Sequence, residues 1–85
     1  MPEYKLGKSQ NFISEGLKYE RYEIYLESKN YRKLYYVIVI CVCRNTTAIS
    51  DNFRNKVFIL NGIIDAKEFA ENINNIREIE RSNLK

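Results

Sequence analysis

The ten consecutive apolar residues from Leu34 to Cys43, LYYVIVICVC, constrain the fold of this 85-residue chain more than any other feature. As a helix the run would rise only about 15 Å, half of the roughly 30 Å hydrocarbon core of a bilayer, so it is not a transmembrane span. Its β-branched and aromatic residues suit a strand. A strand apolar on both sides has to be covered on both sides. The chain offers one strong helix, so one side of the sheet is expected to meet a partner, most simply a second copy of the chain.

That helix begins at Asp65. Asp65 and Glu68 have capping-box spacing, in which the Asp carboxylate accepts from first-turn amides and the Glu reaches back. Ala66, Phe69, Ala70, Ile73, Ile76 and Ile79 follow at three- and four-residue spacing and predict one apolar stripe packed on the sheet. Upstream, Lys18 to Ser28 alternates, with Tyr22, Ile24 and Leu26 on one face and Arg21, Glu23, Tyr25 and Glu27 on the other. Lys29-Asn30 reads as a tight connection. The partner strand runs from Tyr31 to about Arg44. Strict alternation puts Lys33, Tyr35, Val37, Val39, Cys41 and Cys43 on one of its faces and Arg32, Leu34, Tyr36, Ile38, Ile40 and Val42 on the other. Lys56–Leu60 is a further strand, broken by Asn61-Gly62. Asn11–Ser14 reads as a short first strand ended by Gly16, residues 1–10 as a flexible arm, and residues 45–55 as a polar loop. The expected fold is α+β: an antiparallel sheet of three or four strands with one C-terminal helix packed on it, a single domain over residues 11–85, assembled as a dimer.

With 45% hydrophobic and 29% charged residues, the composition is that of a globular chain and not of a disordered one. The length is near the lower limit for a comfortable core, which again favours an oligomer. The net charge of +3 is too small to announce nucleic-acid binding by itself. Its distribution is more telling, because residues 1–56 carry +4 and residues 57–85 carry −1. Ile, Asn, Lys and Tyr together supply 36 residues and have AT-rich codons, which suggests an AT-rich source such as a virus or mobile element. MPEYKLGKSQ lacks the apolar core of a signal peptide, so a cytoplasmic location is expected. Asn45-Thr46-Thr47, a glycosylation sequon in form, then has no meaning.

Signatures of catalysis are weak. There is no His, hence no ordinary catalytic triad. Cys41 and Cys43, two apart in a strand, would hold their side chains roughly 6 to 7 Å apart, poor for a disulfide, and two thiols are too few for zinc. They are expected as buried reduced thiols, with no metal and no cofactor. Gly7-Lys8-Ser9 resembles the tail of a phosphate-binding loop, but Pro2 stands where its first glycine is needed. Glu23 and Glu27 would lie roughly 13 Å apart on one strand face, beyond the about 5 to 9.5 Å of glycosidase carboxylates, and are better placed to pair with Arg32 or Lys33 across the hairpin. The chain is therefore expected not to be an enzyme.

What remains is the mixture of cations and aromatics on the first hairpin: Lys18, Tyr19, Arg21, Tyr22, Tyr25, Lys29, Tyr31, Arg32, Lys33, Tyr35 and Tyr36. Single-stranded nucleic acid is bound by this combination, cations following the phosphates while rings stack on bases. Tyrosine is also simply a good strand residue, and part of the set must be core. The expected nucleic-acid contacts are Lys18, Arg21, Tyr25, Lys29, Tyr31, Arg32 and Lys33, with Arg54 from the following loop. Short strands, this basic aromatic hairpin, the strand Lys56-Val57-Phe58-Ile59-Leu60 and a capped helix from Asp65 are similar, in element order, to the single-strand-binding transcriptional coactivator family and its Whirly relatives. The resemblance implies a sheet-plus-helix unit that dimerises and binds melted DNA, and it transfers no individual site residue. The competing expectation is a protein–protein interaction module, such as a small viral or plasmid-encoded inhibitor, whose hairpin surface meets another protein. A membrane partner is not expected.

Overall fold

The computed structural model describes the backbone of residues 2–83 and the side chains of residues 2–77. Its elements are β1 (Glu3–Ser14), β2 (Leu17–Glu27), β3 (Arg32–Cys41), a single 3-10 turn (Val42–Arg44), β4 (Thr46–Asp51), β5 (Lys56–Leu60) and α1 (Ala66–Asn83). The strands form one antiparallel meander in the order β1-β2-β3-β4-β5. The α+β class is as expected, but the sheet has five strands instead of three or four.

The two additional stretches of strand were hidden by polar residues. Residues 3–10, expected as an arm, form most of β1. There Tyr4 is buried, and Lys5 reaches Glu3 and Glu27 across the outer surface. β1 joins β2 through Glu15-Gly16, both at positive φ (51° and 78°), the backbone of a two-residue hairpin turn. Residues 45–55, expected as a loop, contain β4. Its inward residues are Thr47, Ile49 and Asp51, two of them polar, so hydropathy conceals the alternation. Both are satisfied in place. The Thr47 hydroxyl donates to the Gly62 carbonyl at 2.6 Å, and the Asp51 carboxylate accepts from the next turn.

A bulge divides β3. Ile24 lies opposite Tyr36 but Tyr25 lies opposite Leu34, so Tyr35 is the extra residue. Tyr36, Ile38 and Ile40 keep the face expected for them. Tyr35, however, turns to their side and meets the Tyr4 ring edge-on at 5.1 Å. Below the bulge the expected faces are exchanged: Lys33, opposite Leu26, joins the helix side, and Arg32 and Leu34 join Val37 and Val39 on the outer side.

The core is built from Tyr4, Ile24, Ile38, Ile40 and Ile49 of the sheet and Ala66 and Ala70 of the helix. The two alanines let α1 approach closely, while Phe69 meets Tyr36 edge-on at 5.4 Å. Asp65 caps the helix, accepting from the amides of Lys67 (2.9 Å) and Glu68 (3.2 Å). Of the expected stripe, Ala66 and Ala70 are buried and Phe69 and Ile73 half-buried, whereas Ile76 is exposed; the side chain of Ile79 lies outside the described residues. α1 packs on the β1 side of the sheet, where the Asn74 side chain bonds the Tyr4 backbone. The opposite face, with Val37, Val39, Ala48, Val57 and Ile59, has no second layer among the described residues.

Cys41 and Cys43 also depart from expectation. The chain leaves strand geometry directly after Cys41, and the 3-10 turn brings the two Sγ atoms to 3.5 Å. Both are free thiols, Cys41 buried and Cys43 exposed. The contact with Cys41 pushes the Cys43 thiol pKa up, which disfavours the thiolate. No helix among the described residues is long and apolar enough to cross a membrane.

Candidate nucleic-acid interface

In a meander, alternate turns fall at the same end of the sheet. The β2–β3 connection, closed by the Ser28 amide donating to the Tyr31 carbonyl (2.9 Å), therefore lies beside the β4–β5 turn, whose Asn52 amide donates to the Tyr35 carbonyl (2.9 Å). Asp51 shapes the second turn. One carboxylate oxygen accepts from the amides of Phe53 (3.0 Å) and Arg54 (3.1 Å), and Asn55 takes the left-handed conformation (φ 58°) that returns the chain into β5.

This turn holds Phe53 out of the core. Its ring stacks on Tyr35 with centroids 5.5 Å apart and planes 12° from parallel, yet it remains 68% exposed. The Phe53–Tyr35 stack separates two grooves. One, of about 480 Å³, is lined by Leu26, Tyr31, Arg32, Lys33, Tyr35 and Phe53. The other, of about 530 Å³, includes Tyr4, Tyr36, Phe53, Arg54 and Arg77. Lys29, Lys33 and Arg54 make no ion pair among the described residues. Arg77 is set by Tyr4, donating to its hydroxyl at 3.3 Å with the guanidinium 5.5 Å from the ring centre. Burial pushes the Tyr36 phenol up to about 12, so it stays neutral at the floor of the cluster.

Other expected contact residues lie on the outer face and are engaged there. Arg21 pairs with Glu23 at 2.7 Å, and the Tyr25 hydroxyl donates to the same carboxylate at 2.8 Å. These two bonds hold the Glu23 carboxyl below its ordinary range, and the bond to Glu23 raises the Tyr25 phenol. Arg32 pairs with Glu27 at 2.7 Å and lays its guanidinium 3.7 Å over the Tyr25 ring. Gly7 makes room for this packing, because a Cβ there would stand 2.7 Å from the Tyr25 ring. The cross-hairpin pairing of Glu27 with Arg32 is as expected, whereas Glu23 finds its cation two residues away on its own strand.

Lys18 is remote. It lies at the β1–β2 hairpin end, nine residues up β2 from Glu27, about 30 Å by strand rise. There it borders an 870 Å³ hollow with Phe12, Ile13, Leu17, Tyr19, Val42 and Cys43. The eight expected contacts thus separate into an end cluster (Lys29, Tyr31, Lys33, Arg54), an outer-face network (Arg21, Tyr25, Arg32, the last also lining a groove) and the isolated Lys18. Phe53, Tyr35 and Arg77 complete the end cluster and were not among them. The readable signal was an aromatic beside a cation inside the turn sequence Asp51-Asn52-Phe53-Arg54-Asn55.

Among the described residues no group of three or more His, Cys, Asp or Glu converges as metal ligands. No family model, curated protein or solved structure matches the chain.

Proposed function

We propose that the protein is a non-enzymatic, homodimeric binder of single-stranded DNA or RNA, and that the strand is taken at the sheet end where Phe53 stands between Lys33 and Arg54. The observation that carries this reading is the Phe53–Tyr35 stack, an exposed ring laid on one that packs against the core, with cations on either side that make no ion pair among the described residues. A ring held flat and open to solvent offers a base a stacking surface of about 1 to 3 kcal/mol without regard to sequence, and neighbouring cations release counterions from the phosphates. Lys29 and Tyr31 extend the surface along the adjoining turn. Arg21 and Arg32 on the outer face already face Glu23 and Glu27, so they add less to the field felt by a polyanion. The resemblance of the sequence, in element order, to the single-strand-binding coactivators and Whirly proteins supports the same reading, although β4 is a strand that resemblance did not include.

The apolar outer face around Val37, Val39, Val57 and Ile59 favours the second reading, a protein–protein interaction module. Fluorescence anisotropy with labelled single- and double-stranded oligonucleotides, at low and at physiological salt, separates the two. The first reading expects preference for single strands and an affinity that falls steeply with salt. No binding to any single strand at low salt overturns it and leaves the protein module as the better account.

A further inference from the structure

We infer that β5 is the seam of the homodimer: two copies join edge to edge by antiparallel β5–β5 pairing about a two-fold axis at Phe58, making one continuous sheet. The inference rests on the homodimer part of the proposed function and is independent of the nucleic-acid part.

The sheet has two edges, and they are treated differently. β1 is interrupted by a bulge between Leu6 and Ser9, carries Lys5 and Lys8, and has the N–H and C=O of Tyr4 occupied by Asn74. These are devices that keep an edge from pairing. β5 has no bulge, and its one charged residue, Lys56, stands at its start. Its register with β4 runs unbroken from Asp51–Lys56 to Thr47–Leu60, and after Lys56 it is wholly apolar. Val57 (63%), Phe58 (47%), Ile59 (67%) and Leu60 (39%) are all exposed, on both faces of the strand, because α1 lies over the other side of the sheet. Of the eleven exposed large hydrophobics among the described residues, six fall between Phe53 and Ile63. Apolar exposure is therefore concentrated on the undefended edge.

The occupant is a second copy because the strand complements itself. An antiparallel copy centred on Phe58 sets Phe58 against Phe58, Val57 against Ile59, and Lys56 against Leu60. Aromatic then meets aromatic on the helix side, and β-branched meets β-branched on the outer side. The two lysines fall at opposite ends of the seam, roughly 14 Å apart by strand rise, so no like charges oppose.

The test is the sedimentation mass of the full chain without nucleic acid. Wild type should show twice the 10.1 kDa chain mass. Phe58→Glu and Phe58→Lys each place like charges across the axis and should halve the mass while keeping the native circular dichroism, and an equimolar mixture of the two should recover the dimer. Hydrogen exchange of wild type, which needs no variant, should show residues 56–60 protected more strongly as concentration rises. A monomeric wild type overturns the homodimer reading and the seam together. A dimeric wild type overturns the seam alone if Phe58→Glu remains dimeric, if the folded variants fail to combine, or if exchange in β5 is independent of concentration.

Discussion

Asn74 grips Tyr4 by both backbone polar groups: its Oδ1 accepts the Tyr4 N–H at 2.6 Å and its Nδ2 donates to the Tyr4 carbonyl at 2.9 Å. A side-chain amide near the middle of the helix thus does for the first strand what a neighbouring strand's backbone would do. Asn74→Leu keeps the approximate volume and leaves both groups unpaired, which should cost about 1 to 3 kcal/mol in urea unfolding and speed amide exchange at Tyr4. Wild-type stability in this variant would show that water replaces the amide without penalty.

The helix cap and the helix packing should be separable. Asp65→Ala removes the acceptor of two first-turn amides and should cost about 0.5 to 2 kcal/mol. Phe69→Ala removes the ring that meets Tyr36 and should cost more, about 3 kcal/mol, the lower end of the range for buried Phe because Phe69 is only half-buried. Equal costs would place Phe69 outside the core.

Charge and stacking should separate at the end cluster. Lys33→Ala with Arg54→Ala should weaken single-strand binding and lower its salt slope by about 0.7 for each phosphate that is no longer neutralised. Phe53→Ala should weaken binding by about 1 to 3 kcal/mol with the slope nearly unchanged. Tyr25→Ala should matter less than Phe53→Ala, because the Tyr25 ring already carries Arg32. Anisotropy titrations at several salt concentrations read all three, and a larger effect at Tyr25 than at Phe53 would move the site to the outer face.

Stability should decline at both extremes of pH for identifiable reasons. Arg21 and Tyr25 lower the Glu23 pKa below its ordinary 4.5, so their stabilisation is complete above that value and is lost as pH falls through the lower folded pKa. Burial raises Tyr36 from 10.0 to about 12, so its contribution is complete below pH 10 and is lost as pH rises through about 12. Urea midpoints across pH should show Glu23→Gln flattening the acid limb and Tyr36→Phe the alkaline limb. Limbs unchanged by these substitutions would assign the losses to other groups.

The sequence made some elements readable and concealed others for physical reasons. Asp65 announces α1, and the alternation around Tyr22, Ile24 and Leu26 announces β2, because in both cases the buried side is apolar. β4 escapes because Thr47 and Asp51 face inward with their hydrogen bonds satisfied locally, which no hydropathy pattern records. Most of β1 escapes because an edge strand needs few apolar anchors once Tyr4 is buried and its backbone is held by the helix. The bulge is invisible in LYYVIVICVC since a run apolar on both faces does not reveal a change of side. At the site, Lys33 and Arg54 were legible as cations, but their meeting through Phe53 and Tyr35 depends on two turns being brought to one end of the sheet.

Tyr35 is the residue inside the β2–β3 ladder that has no counterpart on β2. Deleting it would let Tyr36 follow Leu34 directly in regular alternation, leaving each remaining β2–β3 pair as it stands and both Arg32 and Lys33 on their present sides. The same deletion would remove the floor from beneath Phe53. In the ladder with β2 Tyr35 is a spare part; what it supports is the edge of Tyr4 in the core and, in the turn next door, the Asn52 amide and the Phe53 ring. A chain shortened by this single residue would thus separate what the β2–β3 ladder requires from what the aromatic platform requires.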